Sequence, residues 1–175
     1  MIYDPELLDK LQEVEPGPWA GRVYRYMFGE QEPTRPNTRG ARWNPPGVAA
    51  IYTTLDTDTL KAEIEYRLQL DVVRLRVSPQ LYTIEIELSE VLDLSTRGVL
   101  QHLGLTDEQL AGVDYRACQE IGGAVAWLEH DGLLVPSARR SGGVNLVIFP
   151  TSQGADAKFE LIESTELPLT ETARE

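Results

Sequence analysis

The chain has 175 residues, a formal net charge of −12 and a hydrophobic content of 42%, which predict one globular domain and argue against nonspecific nucleic-acid binding through a basic face. Its one cysteine excludes an internal disulfide, and its two histidines provide no zinc-type ligand cluster, so we expect no metal site. The absence of a signal-type N-terminus and of any apolar run of membrane-spanning length predicts a cytoplasmic protein that does not enter a membrane.

The N-terminal part of the chain is predicted to form a helix and then a strand. The helix begins at Asp4, an N-cap acceptor that is followed by proline, and ends before Pro16. Residues 23–28 alternate as a strand and place Arg25 on an otherwise apolar face. An arginine in that position indicates either the edge of a sheet or a pocket that holds an anionic partner.

Residues 29–46 contain four prolines and no periodic apolar pattern, so they are predicted to form a long loop of the kind that often binds ligands. Five arginines and two glutamates between residues 21 and 44 give this part of the chain a local charge of +3. Because a guanidinium group binds phosphate through two hydrogen bonds, this excess favours a concave site for a phosphorylated small molecule. Solvated surface charge is the alternative interpretation.

Three candidate functional groups follow one another in a turn, in a strand and on a helix. Arg42 lies in a turn that contains glycine and proline, and Tyr52 lies near the end of a short strand predicted at 48–53. Glu63 is on a helix predicted at 59–70, next to the apolar face, where a carboxylate can be half-buried. For each residue alone, an ordinary surface position is the alternative.

The second half of the chain is predicted to alternate short strands with helices. The strands are 81–88, 91–94, 133–135, 144–149 and 158–163, and the helices are 96–103, a short segment after 106, and 116–130. Glycines at 122 and 123 allow close packing against a neighbouring backbone. Ser137, in a polar loop between two strands, is either a donor to a ligand or a turn serine. The pattern predicts an α+β fold with one domain at 1–164 and a flexible acidic tail at 165–175.

Several motifs in this order resemble the RES domain, the toxin half of bacterial RES–Xre toxin–antitoxin pairs. They are VYRY around Arg25, GARWNPPG around Arg42, AIYTT with Tyr52, Glu63 eleven residues later, and CQEIGGAVAWLEHDGLLVPSARRSGGVNLVIFP, which contains Ser137. The resemblance extends from about residue 19 to residue 150.

Two positions depart from the family's pattern. Ala41 replaces the second glycine of a turn that is commonly Gly-Gly-Arg-Trp, and Thr54 stands where serine is frequent. These changes concern loop geometry and substrate preference more than the catalytic set. Glu65 is an alternative to Glu63, but the spacing from Tyr52 favours Glu63.

The resemblance implies a fold similar to ADP-ribosyltransferases of the diphtheria-toxin type, with NAD+ as substrate and phosphate as co-substrate. It implies an NAD+-degrading toxin that cleaves the nicotinamide–ribose bond by phosphorolysis, giving nicotinamide and ADP-ribose-1″-phosphate. The alternatives are an ADP-ribosyltransferase that modifies a protein target and a catalytically silent binding module of the same fold.

The resemblance also assigns expected roles to the candidate residues. Glu63 would stabilise the oxocarbenium character of the ribose or hold a ribose hydroxyl. Arg25 and Arg42 would bind the pyrophosphate or an incoming phosphate, Tyr52 would stack on nicotinamide, and Ser137 would position ribose or phosphate. The implied partner is an Xre-type antitoxin that covers the site and carries any contact with DNA. A homo-oligomer within that complex is left open.

Overall fold

The computed structural model describes residues 3–29, 31–70, 78–150 and 157–167. Within these ranges the elements, in chain order, are α1 (Pro5–Gln12), β1 (Gly17–Phe28), β2 (Ile51–Thr54), α2 (Thr57–Leu70), β3 (Pro79–Asp93), α3 (Arg97–His102), α4 (Asp107–Ala111), α5 (Arg116–Trp127), β4 (Gly132–Pro136), β5 (Val144–Ile148) and β6 (Lys158–Glu166). None of the described helices has the length and apolarity needed to cross a membrane.

Five of the strands form a closed, barrel-like sheet. Their order is β1-β2-β5-β4-β3, and β3 pairs back with β1 along its length, from Gly17 opposite Val91 to Phe28 opposite Pro79. The β3–β4 pair is parallel, and the other pairs of the ring are antiparallel. β6 extends the sheet by antiparallel pairing with the first half of β3. This mixed sheet with surrounding helices confirms the predicted α+β class.

Two strands are longer than the sequence pattern predicts. β1 begins at Gly17 rather than at residue 23. Residues 17–22 lack the apolar run that would predict a strand, and they form one because they pair with β3. The two strands predicted at 81–88 and 91–94 are one, β3. The backbone N–H groups of Ser89 and Glu90 both donate to the carboxylate of Asp131, at 2.8 and 2.9 Å, so the chain continues through this polar point.

Other boundaries also differ from the predictions. β2 begins at Ile51 instead of residue 48. α5 ends at Trp127, short of the predicted residue 130, because Glu129 adopts a left-handed φ of 65°. β6 continues to Glu166, two residues into the predicted tail, and the rest of that predicted tail from residue 168 onward lies outside the described residues.

The buried apolar side chains form two clusters on opposite faces of β5. Leu146 and Ile148 belong to the cluster between the strands, whereas Val147 and Phe149 belong to the cluster that joins the sheet to the helices. The second cluster includes Leu11 of α1, Leu100 of α3, and Cys118, Ile121 and Val125 of α5. The sheet therefore supports the helices on one face and the barrel interior on the other.

Helix α5 holds the turn that carries Arg42. A Cβ atom on Gly122 would lie only 1.8 Å from the carbonyl oxygen of Trp43, so the helix and the turn are in backbone contact, as the paired glycines predict. Gln119 Nε2 also donates to the carbonyl of Ala41 at 2.9 Å. These contacts fix the position of the turn, and with it Arg42, against α5.

Candidate active site

A cleft of about 560 Å³ opens where β1, β2, α2, β5 and the loop at 29–46 meet. This volume is in the range of small-molecule binding sites. Its lining includes four of the five residues that the sequence singles out, Arg25, Arg42, Tyr52 and Glu63. The fifth, Ser137, is in direct contact with Glu63. The structure therefore brings all five candidate residues to one place.

The Glu63 carboxylate is held by side chains from two other parts of the chain. Its Oε1 atom accepts a hydrogen bond from Ser137 Oγ at 2.9 Å and another from Asn145 Nδ2 at 3.3 Å. Glu63 is half-buried on α2, whereas the alternative residue, Glu65, is exposed and does not line the cleft. The structure thus favours Glu63, as the spacing in the sequence does.

Ser137 is buried, does not line the cleft, and connects Glu63 to the backbone of its own loop. Its hydroxyl donates to Glu63, and its oxygen accepts from the backbone N–H groups of Arg139 at 3.1 Å and Arg140 at 3.2 Å. Its own backbone N–H donates to the carbonyl of Gly143 at 2.8 Å, which closes the loop. These hydrogen bonds connect the Glu63 carboxylate to the backbone of the loop that carries Ser137.

Tyr52 builds the turn that precedes it in the chain. Its hydroxyl donates to Asn44 Oδ1 at 2.7 Å and accepts from the backbone N–H of Trp43 at 2.8 Å. Burial raises the pKa of the Tyr52 phenol, so the hydroxyl stays protonated. Because the hydroxyl is occupied by the turn, the ring is the part of this side chain that is left for the cleft.

Arg25 and Arg42 both donate to backbone carbonyl groups. Arg25 donates to the carbonyls of Pro33 and, at 2.7 Å, Arg35, so it fastens the long loop to β1. Within the described residues these acceptors are neutral carbonyls, and an anionic partner of Arg25 stays a prediction. Burial lowers the pKa of Arg25 to about 10, which leaves it charged at neutral pH. Arg42 Nη1 donates to Leu110 and Gly112.

The cleft lining also includes polar and aromatic residues that the sequence interpretation did not select, and four of them matter for the site. They are Tyr66, Tyr115, Arg139 and Asn145. Tyr66 follows Glu63 by three residues on α2, a spacing that places both on one face of the helix and was a usable signal. Arg139 and Asn145 lie in or after a polar loop, and their positions depend on how that loop folds back. Within the described ranges, no group of three His, Cys, Asp or Glu side chains is arranged to hold a metal ion.

The fold and the cleft together define an α+β protein whose site combines cations, aromatic rings and one fixed carboxylate. The model of the RES domain matches residues 18–170, so the chain belongs to the RES domain family. The family predicted from the motifs is confirmed.

Relatives cover most of the chain. It is 30% identical over 158 residues to the NAD(+) phosphorylase MbcT of Mycobacterium tuberculosis, a match that covers 85% of this chain and 83% of the relative. The same values hold for MbcT of Mycobacterium bovis. The crystal structure of the M. tuberculosis MbcT–MbcA toxin–antitoxin complex is similar with a TM-score of 0.82 and 28% identity, covering 94% of this chain and 93% of the solved one.

Proposed function

We propose that this chain is an NAD+-degrading toxin that cleaves the nicotinamide–ribose bond by phosphorolysis. Its similarity to the NAD(+) phosphorylase MbcT and to a toxin in a toxin–antitoxin complex supports the proposal. The observation that carries it is the Glu63 carboxylate, held in the cleft by Ser137 and Asn145. A fixed carboxylate is the group that stabilises positive charge on a sugar carbon when its glycosidic bond breaks.

In the proposed step, an oxygen of hydrogen phosphate forms a bond to C1″ of the nicotinamide ribose while the bond from C1″ to nitrogen breaks. The electron pair of that bond moves to the ring nitrogen, so nicotinamide leaves as a neutral molecule and needs no proton. The phosphate proton is released to solvent from the product, ADP-ribose-1″-phosphate. Glu63 stabilises the positive charge that develops on the ribose in the transition state, where the bond to nitrogen is largely broken and the bond to phosphate is only partly formed.

The other candidate residues have binding roles in this proposal. Arg25 stays charged at neutral pH, lines the cleft and suits the pyrophosphate of NAD+, which carries negative charge. The Tyr52 ring provides a surface for stacking of nicotinamide. Ser137 acts through Glu63, because its hydroxyl proton is already donated to that carboxylate.

The proposal also covers the fold and the partner. We infer that the barrel-like mixed sheet is an ADP-ribosyltransferase core of the diphtheria-toxin type. An Xre-type antitoxin would cover the cleft and block access of NAD+ in the cytoplasm, where the toxin would act without a metal cofactor. The toxin–antitoxin complex of the similar solved structure supports a partner of the antitoxin class.

The test is NAD+ consumption by the purified chain, with and without millimolar phosphate, followed by separation and mass analysis of the products. Phosphorolysis predicts fast loss of NAD+ only with phosphate, and a phosphorylated ADP-ribose as product. Loss of NAD+ at the same rate without phosphate, with free ADP-ribose or an ADP-ribosylated protein as product, would contradict phosphorolysis. An unchanged NAD+ pool in both conditions would contradict any NAD+-degrading activity.

A further inference from the structure

Two arginines from distant parts of the chain are anchored on one short segment, residues 110–112, at the C-terminal end of α4. Arg42 Nη1 donates to the carbonyls of Leu110 at 2.5 Å and Gly112 at 3.1 Å, and Arg139 Nη1 donates to that of Ala111 at 3.3 Å. The last carbonyls of a helix have no partner inside the helix, so they are free to accept these bonds. Three consecutive carbonyls therefore hold two cations at the same end of α4.

Each of these arginines is also stacked on a tyrosine. The Arg42 guanidinium lies 4.4 Å from the centre of the Tyr115 ring, and the Arg139 guanidinium lies 3.4 Å from that of Tyr66. All four side chains line the cleft. Carbonyls and aromatic faces fix the planes of the two guanidinium groups but leave their positive charge in place.

The charge and hydrogen-bonding capacity of this pair are incompletely used. The ion pairs among the described residues include neither Arg42 nor Arg139. In the described part of the chain, Arg139 Nη2 is buried without a hydrogen-bond partner, and so is Asn145 Oδ1 beside Glu63. A buried cationic N–H group without a partner is costly, so its position indicates an anionic ligand that supplies the missing acceptor.

We propose that Arg42 and Arg139 together form the binding site for the orthophosphate co-substrate, with Arg139 determining the preference for phosphate over water. This inference rests on the proposed phosphorolysis. Two fixed guanidinium groups match the charge and oxygen atoms of a phosphate dianion. The Arg139 guanidinium lies on the ring of Tyr66, which is three residues after Glu63 on α2, and the Arg139 backbone N–H donates to the same Ser137 Oγ that donates to Glu63. Phosphate held there would be delivered to the carbon that Glu63 serves.

The experiment measures initial rates over a grid of phosphate and NAD+ concentrations for the wild type, Arg139→Gln, Arg139→Lys and a control, Arg22→Gln. Arg22 is an exposed residue of β1 that pairs with Glu85 and does not line the cleft, so its replacement removes the same charge elsewhere. We expect the KM for phosphate to rise about tenfold or more in Arg139→Gln, less in Arg139→Lys, and not in the control. The KM for NAD+ should change by less than about threefold.

A second readout needs no turnover. Orthophosphate added without NAD+ should raise the melting temperature of the wild type and of Arg22→Gln, but not that of Arg139→Gln. Three results would overturn the assignment of the phosphate site and leave the proposed phosphorolysis standing. They are an unchanged KM for phosphate in Arg139→Gln, a rise in its KM for NAD+ instead, and stabilisation of that variant by orthophosphate equal to that of the wild type. No phosphate-dependent turnover in the wild type would instead contradict the proposed phosphorolysis.

Discussion

Replacement of Glu63 with glutamine removes one negative charge at almost constant volume, so it separates the chemistry from the fold. The glutamine Oε1 atom can still accept from Ser137 and Asn145, which now donate at 2.9 and 3.3 Å. We therefore expect the free energy of unfolding to change by about 1 kcal/mol or less, the difference between charged and neutral acceptors at a half-buried site. This corresponds to a melting temperature within roughly 4 °C of the wild type.

The effect on turnover should be much larger. Loss of a group that stabilises charge in the transition state costs about 10²–10³ in kcat, or roughly 3–4 kcal/mol. The assay is the rate of nicotinamide release at saturating NAD+ and phosphate, with the melting temperature of each variant as the measure of folding. Kinetics and stability are measured on the same preparation.

The matched control is Glu65→Gln, which makes the same chemical change two residues further along α2 at an exposed position. We expect its kcat to stay within about twofold of the wild type, since it removes no contact in the cleft. Full turnover in Glu63→Gln would refute the reasoning, as would an equal loss in both variants. A large loss of stability in Glu63→Gln would show that the carboxylate holds the fold instead.

Three other substitutions test the structure around the site. Arg42→Lys should lower kcat/KM about tenfold in steady-state assays, because lysine lacks the planar fork; unaltered kinetics would count against its role. Tyr52→Phe should lower the free energy of unfolding by about 1–3 kcal/mol in urea titrations, because it leaves the buried Trp43 N–H and Asn44 Oδ1 without the Tyr52 hydroxyl. An unchanged midpoint would be inconsistent with these two hydrogen bonds. Gly122→Ala should cost about 3 kcal/mol or more, whereas Gly98→Ala, which meets open space, should not; equal melting temperatures would contradict the contact of α5 with the turn.

The sequence is informative where a local pattern has one structural solution. The alternation of residues 81–88 predicts a strand, and the apolar spacing after residue 57 predicts a helix, because each period matches one regular element. The spacing from Arg42 to Tyr52 to Glu63 also has a local cause. The Tyr52 hydroxyl bonds the turn that carries Arg42, and the Glu63 helix follows directly.

Other features depend on contacts between distant residues and have no local pattern. Residues 17–22 become part of β1 only through pairing with β3, and β3 continues past residue 88 because Asp131 binds its backbone. In the sequence, Arg139 cannot be distinguished from an exposed surface arginine. In the structure its loop is closed by the hydrogen bond from Ser137 to Gly143, and its side chain contacts Tyr66 of α2 and Ala111 of α4. The sequence therefore predicts the carboxylate and two of the arginines in the cleft, and the structure adds Arg139.

The most direct test of the account follows oxygen from phosphate into product. The purified chain is incubated with NAD+ and with phosphate that carries ¹⁸O at every oxygen, and the masses of the products are measured by mass spectrometry. Phosphorolysis predicts ADP-ribose-1″-phosphate that keeps all of the label, since attack by a phosphate oxygen breaks no bond to phosphorus. Unlabelled ADP-ribose as the product, or intact NAD+, would contradict the proposed reaction.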